Sequence, residues 1–279
     1  MSDEIPIDHL RTWIGKQDRQ TDIITPELLK RFNATLGGYA NLNTELPLGI
    51  HWCLAQPSVA RDSLGEDGHP AKGGFMPPVP LPRRMWASSK IQFNEAPSIG
   101  VSVEKISTIA DVVLKQSAAS GSLVFVHVDN EYVQDNKSLI EDRQIIVYRN
   151  PSAFKQTDPE DPQNSNYSFS IVPDSTLLFR YSALTFNGHR IHYDQNYVTD
   201  VEGYPGLVVH GPLTATLLMN IAQASQPNKT LRKFEFRGTA PAFVDQTLEL
   251  LVKDDAAKSL EARNHHGALI MSASAEYSD

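Results

Sequence analysis

The chain has 279 residues, 41% of them hydrophobic and 21% charged, with a formal net charge of −8; it suffices for one large domain or two of ordinary size. An acidic chain is not drawn as a whole to nucleic acid or anionic lipid, so neither partner is expected, and an anionic ligand would need a local basic cluster. No apolar run reaches the roughly 18–20 residues of a membrane span, the single cysteine, Cys53, excludes an internal disulfide, and the acidic start MSDEIPIDHL lacks a leader pattern, so a cytoplasmic protein is expected.

The first predicted element is a helix over Thr25 to Gly37. Thr25 can cap it, Pro26 suits its first turn, Leu28, Leu29, Phe32 and Leu36 share a face, and Gly37 suits its end. Gly65 to Trp86 (GEDGHPAKGGFMPPVPLPRRMW) holds too many Gly and Pro for a regular element and reads as a long ordered loop. SKIQFNEA, VSVEKISTIADVVLKQ, SLVFVHVDNEYVQ and RQIIVYR follow as strands of an antiparallel meander. Asn150 to Asn166, polar and rich in Pro, Asp and Asn, reads as a linker. It divides the chain into units at 1–150 and 167–279, with 151–166 between them.

In the second unit Ser175 to Leu184 reads as a strand, followed by the polar stretch TFNGHRIHYD, Thr185 to Asp194. A turn ending in EGYPG leads to VVHGPLTATLLMNIAQAS, a helix opening at Gly211 and Pro212 and apolar on most sides, hence buried. KTLRKFEFRGTAPAF, QTLELLVKDD, KSLEARNHH and GALIMSASAEYS read as further strands. One buried helix with an antiparallel sheet around it is an α+β plan.

The stretch from Thr185 to Asp194 gathers Asn187, His189, Arg190, His192 and Asp194. Its histidines could simply be satisfied by neighbouring backbone, or could ligate a metal with Asp194; no partner motif supports the metal, and none is expected. A neutral imidazole can also take a proton from water. A buried helix opening at Gly211 presents unpaired N–H groups, with Gly211, Leu213 and Thr214 as donors, to an oxygen gaining negative charge.

TFNGHRIHYD with EGYPGLVVHGPLTATLL resembles the hydratase motif of the MaoC-like hotdog-fold family, and GEDGHP with PPVPLPRRMW is similar to its hydroxyacyl-thioester dehydratase type 2 subgroup, which includes itaconyl-CoA and mesaconyl-C4-CoA hydratases. The resemblance implies a double hotdog: two units, each a long helix wrapped by an antiparallel sheet, the first without the catalytic motif. It implies reversible addition of water to an α,β-unsaturated acyl-CoA thioester, with coenzyme A part of the substrate and no resident cofactor. His192 matches the family histidine and Gly211 the glycine whose N–H holds the thioester carbonyl. Asn187 stands where the family has Asp and cannot exchange a proton. His192, with Asn187, would position and deprotonate the water and return a proton to the α-carbon, alone or with His189 sharing the work.

Arg83 and Arg84, on a stiff Pro-flanked loop, are candidates for a second carboxylate on the acyl group. Arg190, His210, Leu213, Thr214 and Trp86 are placed at the acyl thioester, and Lys229, Arg232, Lys233 and Arg237 form a basic run that could meet CoA phosphates. The leading expectation is a branched C5 dicarboxylic substrate hydrated to citramalyl-CoA; a homo-oligomer is compatible with the sequence. Two other readings share the motifs: a 3-hydroxyacyl-carrier-protein dehydratase of fatty-acid synthesis, whose acidic partner would call for a basic rim, and a non-catalytic acyl-thioester binder, which would not need His192 with Gly211.

Overall fold

The computed structural model describes residues 5–39, 46–117, 121–152, 154–155 and 167–278. Its centre is one antiparallel sheet made of β1 (Gln17–Ile23), β2 (Arg83–Phe93), β3 (Ser102–Ser117), β4 (Gly121–Gln134), β5 (Lys137–Arg149), β6 (Tyr167–Ile171), β7 (Thr230–Gly238), β8 (Leu248–Val252), β9 (Ser259–Asn264) and β10 (Leu269–Ser278). The order is β1-β3-β4-β5-β2-β7-β10-β9-β8-β6. The first five strands form one half and the last five the other. They meet where β2 pairs with β7, from Ser88 opposite Arg237 to Gln92 opposite Lys233.

Alternation builds the long strands. Along β4, Val124, Val126, Val128, Asn130 and Tyr132 are buried while their neighbours are less so, as a strand with one face on a core requires. Asp135 and Asn136, at φ 51° and 60°, turn β4 into β5, the left-handed pair that a tight two-residue hairpin favours.

Among the described residues four α-helices accompany the sheet: α1 (Ile7–Arg11), α2 (Pro26–Leu36), α3 (Ser175–Leu184) and α4 (Gly211–Ser225). Every residue of α4 from Leu213 to Gln223 is buried, and the helix lies against β7 to β10. Thr25 caps α2 by accepting from the Leu28 N–H at 3.0 Å; α2, shorter than α4, packs on α3. Inside the first half of the sheet sits the 3₁₀ turn Ile50–Cys53, all four residues buried. This is the α+β double hotdog, with unequal helices in its two units.

Three departures from the sequence reading have local causes. Ser175–Leu184 is a helix rather than a strand: Asp174 caps it, accepting from the Leu177 N–H at 2.7 Å, and Leu178, Tyr181 and Ser182 then share the buried side. Arg83 and Arg84 open β2 instead of sitting in the preceding loop, Arg84 standing opposite Tyr148. The short edge strands β1 and β6 and the helix α1 arise where no element is expected; β1 alternates exposed and partly buried residues without an apolar face. Of the linker, residues 153 and 156–166 lie outside the described residues.

Candidate active site

The polar stretch begins where α3 stops. Thr185 N–H and Oγ1 both donate to the Tyr181 carbonyl, at 3.0 and 2.8 Å, and Phe186 takes φ 47°. The Asn187 N–H then donates to the Ser182 carbonyl at 2.8 Å. The chain therefore reverses at once, and Asn187, Gly188, His189, Ile191 and His192 line a cavity of about 1480 Å³.

Two bonds fix the far end of this loop. Val208 N–H donates to the Ile191 carbonyl at 2.9 Å, and His192 Nδ1 lies 2.7 Å from the Val208 carbonyl. A carbonyl only accepts, so Nδ1 carries the hydrogen and Nε2 is left as the basic nitrogen. Nε2 has no partner among the described residues, and the ring lines the cavity. Burial pulls the His192 pKa down to about 4, against the opposing effect of the Val208 carbonyl. The group is thus neutral near pH 7 and able to receive a proton.

His210 stacks on His192 with ring centres 3.6 Å apart, and its Nε2 lies 2.8 Å from Ser182 Oγ. Burial, then the neighbouring His192 and His189, hold its pKa well below the usual value. His210 is the N-cap residue of α4 but makes no side-chain cap, so the helix start stays open. The N–H of Gly211 has no partner among the described residues, and Gly211 lines the cavity. With Pro212 in the first turn, this is a helix N-terminus able to meet an oxygen that gains charge. Asn187 and His189 line the same space. Asn187 Oδ1 accepts from the His189 N–H at 2.9 Å, which leaves its amide N–H₂ free to donate into the cavity. Burial, with the nearby His192 and Arg84, lowers the His189 pKa to about 3 despite Asp67.

The structure brings together Asn187, His189, His192, Gly211, Thr214, Arg84 and Trp86 around this cavity. His210 stands directly behind His192. Thr214 lines the wall, but its N–H is already given to the His210 carbonyl at 3.1 Å, so it is not an open donor. Four expected residues lie elsewhere. Leu213, expected as a backbone donor, does not line the cavity, and its side chain is fully buried in the core around α4. Arg237 is exposed on β7. Arg190 binds Asp194 through Nε and Nη2 at 3.0 and 2.8 Å, donates to the Glu66 carbonyl at 3.2 Å and lies over the Tyr197 ring. Arg83 is consumed by structure: Nε meets Glu202 Oε2 at 2.9 Å, Nη1 donates to the Ser152 carbonyl at 3.1 Å, and Nη2 donates to the Glu202 carbonyl. A guanidinium so occupied cannot also receive a substrate carboxylate. Cys53 is a free buried thiol whose pKa burial raises to about 12, so it is no nucleophile.

Sequence reasoning missed one part of this cavity. The turn Gly65–Pro70, from the first half of the chain, brings Asp67 and His69 beside His189. The donor atoms of Asp67, His69 and His189 lie within 4.8 Å of one another, a set that could ligate a cation. The Arg84 guanidinium, 3.8 Å from Asp67, already places a positive charge there. Of the three residues weighed as ligands from sequence, His189 is in this set, while His192 and Asp194 are not, Asp194 being held by Arg190.

The profile of hydroxyacyl-thioester dehydratase type 2 matches residues 49–244, a span that contains the Gly65–Pro70 turn, the polar loop and the start of α4. The mesaconyl-C(4)-CoA hydratase of Chloroflexus aurantiacus is 40% identical over 271 residues, covering 95% of this chain and 96% of that protein. The chain belongs to the hydroxyacyl-thioester dehydratase type 2 family. Solved structures agree on the fold. The crystal structure of HtdX from Mycobacterium tuberculosis superposes with a TM-score of 0.68 at 17% identity, covering 93% of this chain and 99% of that one. A second M. tuberculosis protein, described as having a double hotdog fold, gives 0.62 at 11% identity over 95% and 96% of the two chains. Asn187, which stands where the MaoC-like motif that the sequence resembles has Asp, is held by its bond to the His189 N–H. Among the described residues, no helix is long and apolar enough to cross a membrane.

Asn187→Asp is expected to keep the loop, because a carboxylate oxygen can accept the same His189 N–H, and to retain activity within about tenfold. Asn187→Ala removes both the turn bond and the free amide and is expected to cost more, though less than loss of His192. Steady-state kinetics of the two variants test this ordering.

Proposed function

We propose that the protein adds water reversibly across the α,β double bond of an acyl-CoA thioester, and that the acyl group is a branched C5 dicarboxylic one of the mesaconyl-C4 type, giving citramalyl-CoA; itaconyl-CoA, whose double bond joins the β- and γ-carbons, would reach the same product only by protonation at its γ-carbon. The observation that carries the reading is the pairing, across one cavity, of a neutral His192 with Nε2 free and an unpartnered Gly211 N–H at the start of a buried helix. His192 Nε2 takes a proton from water that the Asn187 amide helps to orient. The water oxygen attacks the β-carbon, and electrons move onto the thioester oxygen, where the Gly211 N–H and the helix start stabilise it. The α-carbon then takes a proton, and the thioester carbonyl re-forms. The identity to a mesaconyl-C(4)-CoA hydratase over nearly the whole chain supports the substrate class.

Arg84 is the group that suits the second carboxylate. Its side chain is largely buried, it lines the cavity next to His69 and His189, and its ion pair with Asp67 is long, at 3.8 Å. The free carboxylate of such an acyl group would lose its hydration at high cost without a partner, and a guanidinium offers paired donors that stay charged. Arg84→Leu is expected to lower kcat/KM for the dicarboxylic substrate by about 30-fold or more, as loss of a buried charge-assisted contact costs about 2–5 kcal/mol. Crotonyl-CoA, which has no second carboxylate, should be spared; equal losses on both substrates would assign Arg84 to coenzyme A or to the fold.

Coenzyme A enters as part of the substrate, and the reading requires no resident cofactor. A cytoplasmic setting suits a chain whose single thiol is free and buried. The direct test follows double-bond absorbance over a panel of enoyl-CoA esters with and without a second carboxylate. Consumption of the dicarboxylic esters supports the proposal; an inert panel rejects it.

A further inference from the structure

The chemistry above needs two proton transfers, one from water and one to the α-carbon. Among the described residues the second half of the chain lines the cavity with two histidines whose rings have a nitrogen free, His192 and His189, and burial holds both neutral near pH 7, so neither brings a proton of its own for the α-carbon. Asn187 cannot exchange a proton. We propose that Asp67 and His69, delivered by the Gly65–Pro70 turn of the first half, form the second acid–base unit of the site, with His69 giving the α-carbon its proton. The inference rests on the hydratase reading and extends it to residues outside the polar loop.

Three independent features support the role. The first is orientation. His69 Nδ1 lies 3.1 Å from Asp67 Oδ2, and the His69 N–H donates to Asp67 Oδ1 at 3.1 Å. The carboxylate thus holds the ring from both ends of its own residue and fixes Nδ1 as the donor toward it, which leaves Nε2 for exchange. The second is place. His69 lines the cavity that holds His192, Asn187 and Gly211. Its ring centre is 4.3 Å from that of His189, which in turn is 5.5 Å from that of His192. The charged and titratable groups around it are Asp67, His189 and, beyond Asp67, Arg84, Lys72, Tyr148 and Tyr197. Its side chain keeps 23% exposure, enough to exchange protons with solvent, whereas His192 is buried.

The third is the tightness with which the turn is docked. Gly68, at φ +86°, faces Gly188 so closely that a Cβ on it would lie 2.0 Å from the Gly188 carbonyl oxygen. A Cβ on Gly188 would lie 2.6 Å from that of Gly68. The Arg190 N–H donates to the Asp67 carbonyl at 2.9 Å, and Arg190 Nη1 to the Glu66 carbonyl at 3.2 Å. Two glycines and an arginine are committed to pressing this turn onto the polar loop, and the side chain the turn presents there is His69.

The proton balance closes. In hydration a water O–H bond breaks and its proton goes to His192 Nε2, while the oxygen forms the C–O bond at the β-carbon. The π electrons pass to the thioester oxygen and return to form a C–H bond at the α-carbon with the proton of His69 Nε2, whose N–H bond breaks. His192 ends with one proton more and His69 with one fewer; His69 regains its proton from solvent directly, His192 releases its own through the cavity it lines, and dehydration runs the same steps backward.

The test is kinetics of His69→Gln and Asp67→Asn against wild type on a dicarboxylic enoyl-CoA, over a pH series and with added imidazole. His69→Gln is expected to lower kcat by about 10²–10⁴ with little change in KM, to lose one limb of the kcat–pH profile, and to regain part of its rate with imidazole. Asp67→Asn is expected to show a smaller loss with a displaced limb. Wild-type turnover alongside an undiminished His69→Gln would overturn the role. So would a loss that neither alters the pH profile nor responds to imidazole, since that marks a structural residue. A wild type inactive on every enoyl thioester would instead remove the hydratase reading, and this role with it.

Discussion

His192→Ala is expected to lower kcat by about 10²–10⁴, the contribution of one positioned acid–base group, while the protein stays folded. The ring is held by a single bond to the Val208 carbonyl and by its stack on His210. The loop keeps its Ile191–Val208 backbone bond without it. The pH behaviour follows from the same burial. With a pKa near 4, His192 is already in its basic form at pH 7, so its contribution to activity falls only as pH drops through about 4. Stability fails over an overlapping range. His51, His189 and His192 have pKa values lowered from 6.5 to between about 3 and 4, and that of His210 is also lowered. Their unfolded forms take protons first, so their contribution to stability is complete above about 6.5 and is lost as pH falls toward the folded values. Activity at mildly acid pH should therefore be read beside circular dichroism; a folded His192→Ala protein with near-normal turnover would remove His192 from the chemistry.

Arg83→Leu is expected to cost about 3–5 kcal/mol of stability, the range for removing one partner of a buried ion pair. Arg83 and Glu202 are both buried, with side chains 9% and 11% exposed, and Glu202 also accepts from the Tyr197 hydroxyl at 3.2 Å. Leucine leaves that carboxylate without its cation and leaves the Ser152 and Glu202 carbonyls without their donor. Denaturant unfolding measures the loss, and a second change, Glu202→Gln, should recover part of it by removing the orphaned charge. The surviving folded fraction should keep its preference among substrates, which separates Arg83 from its neighbour Arg84. An unchanged unfolding midpoint would contradict the ion-pair account.

Adjacent arginines with opposite fates show where sequence reading stops. LPRRMW makes both look like carboxylate receptors, but which one meets Glu202 depends on the strand that Arg83 opens and on a residue more than a hundred positions away. The buried helix α4 was legible because Gly211, Pro212 and a segment apolar on most sides state it locally. The polar loop was legible because its residue types are dense and unusual, and the family motif sets His192 and Gly211 side by side. The helix α3 was misread because STLLFRYSAL carries alternating apolar residues, while the deciding signal is a single capping side chain, Asp174. Asp67 and His69 lie in GEDGHP, a stretch that carries the family resemblance without a role for either side chain, because the Gly and Pro around them say only that a turn exists. Their position beside His189 follows from the close approach of Gly68 and Gly188, a contact between segments far apart in sequence.

The central claim is that water is added to a dicarboxylic enoyl-CoA. It is tested most directly by incubating the purified protein with mesaconyl-C4-CoA in isotopically labelled water and reading the product by mass spectrometry. The account predicts a citramalyl-CoA product carrying one labelled oxygen on the former β-carbon, formed by wild type and lost in His192→Ala. Recovery of unaltered thioester, or of free acid and coenzyme A in place of a hydroxyacyl thioester, would contradict it.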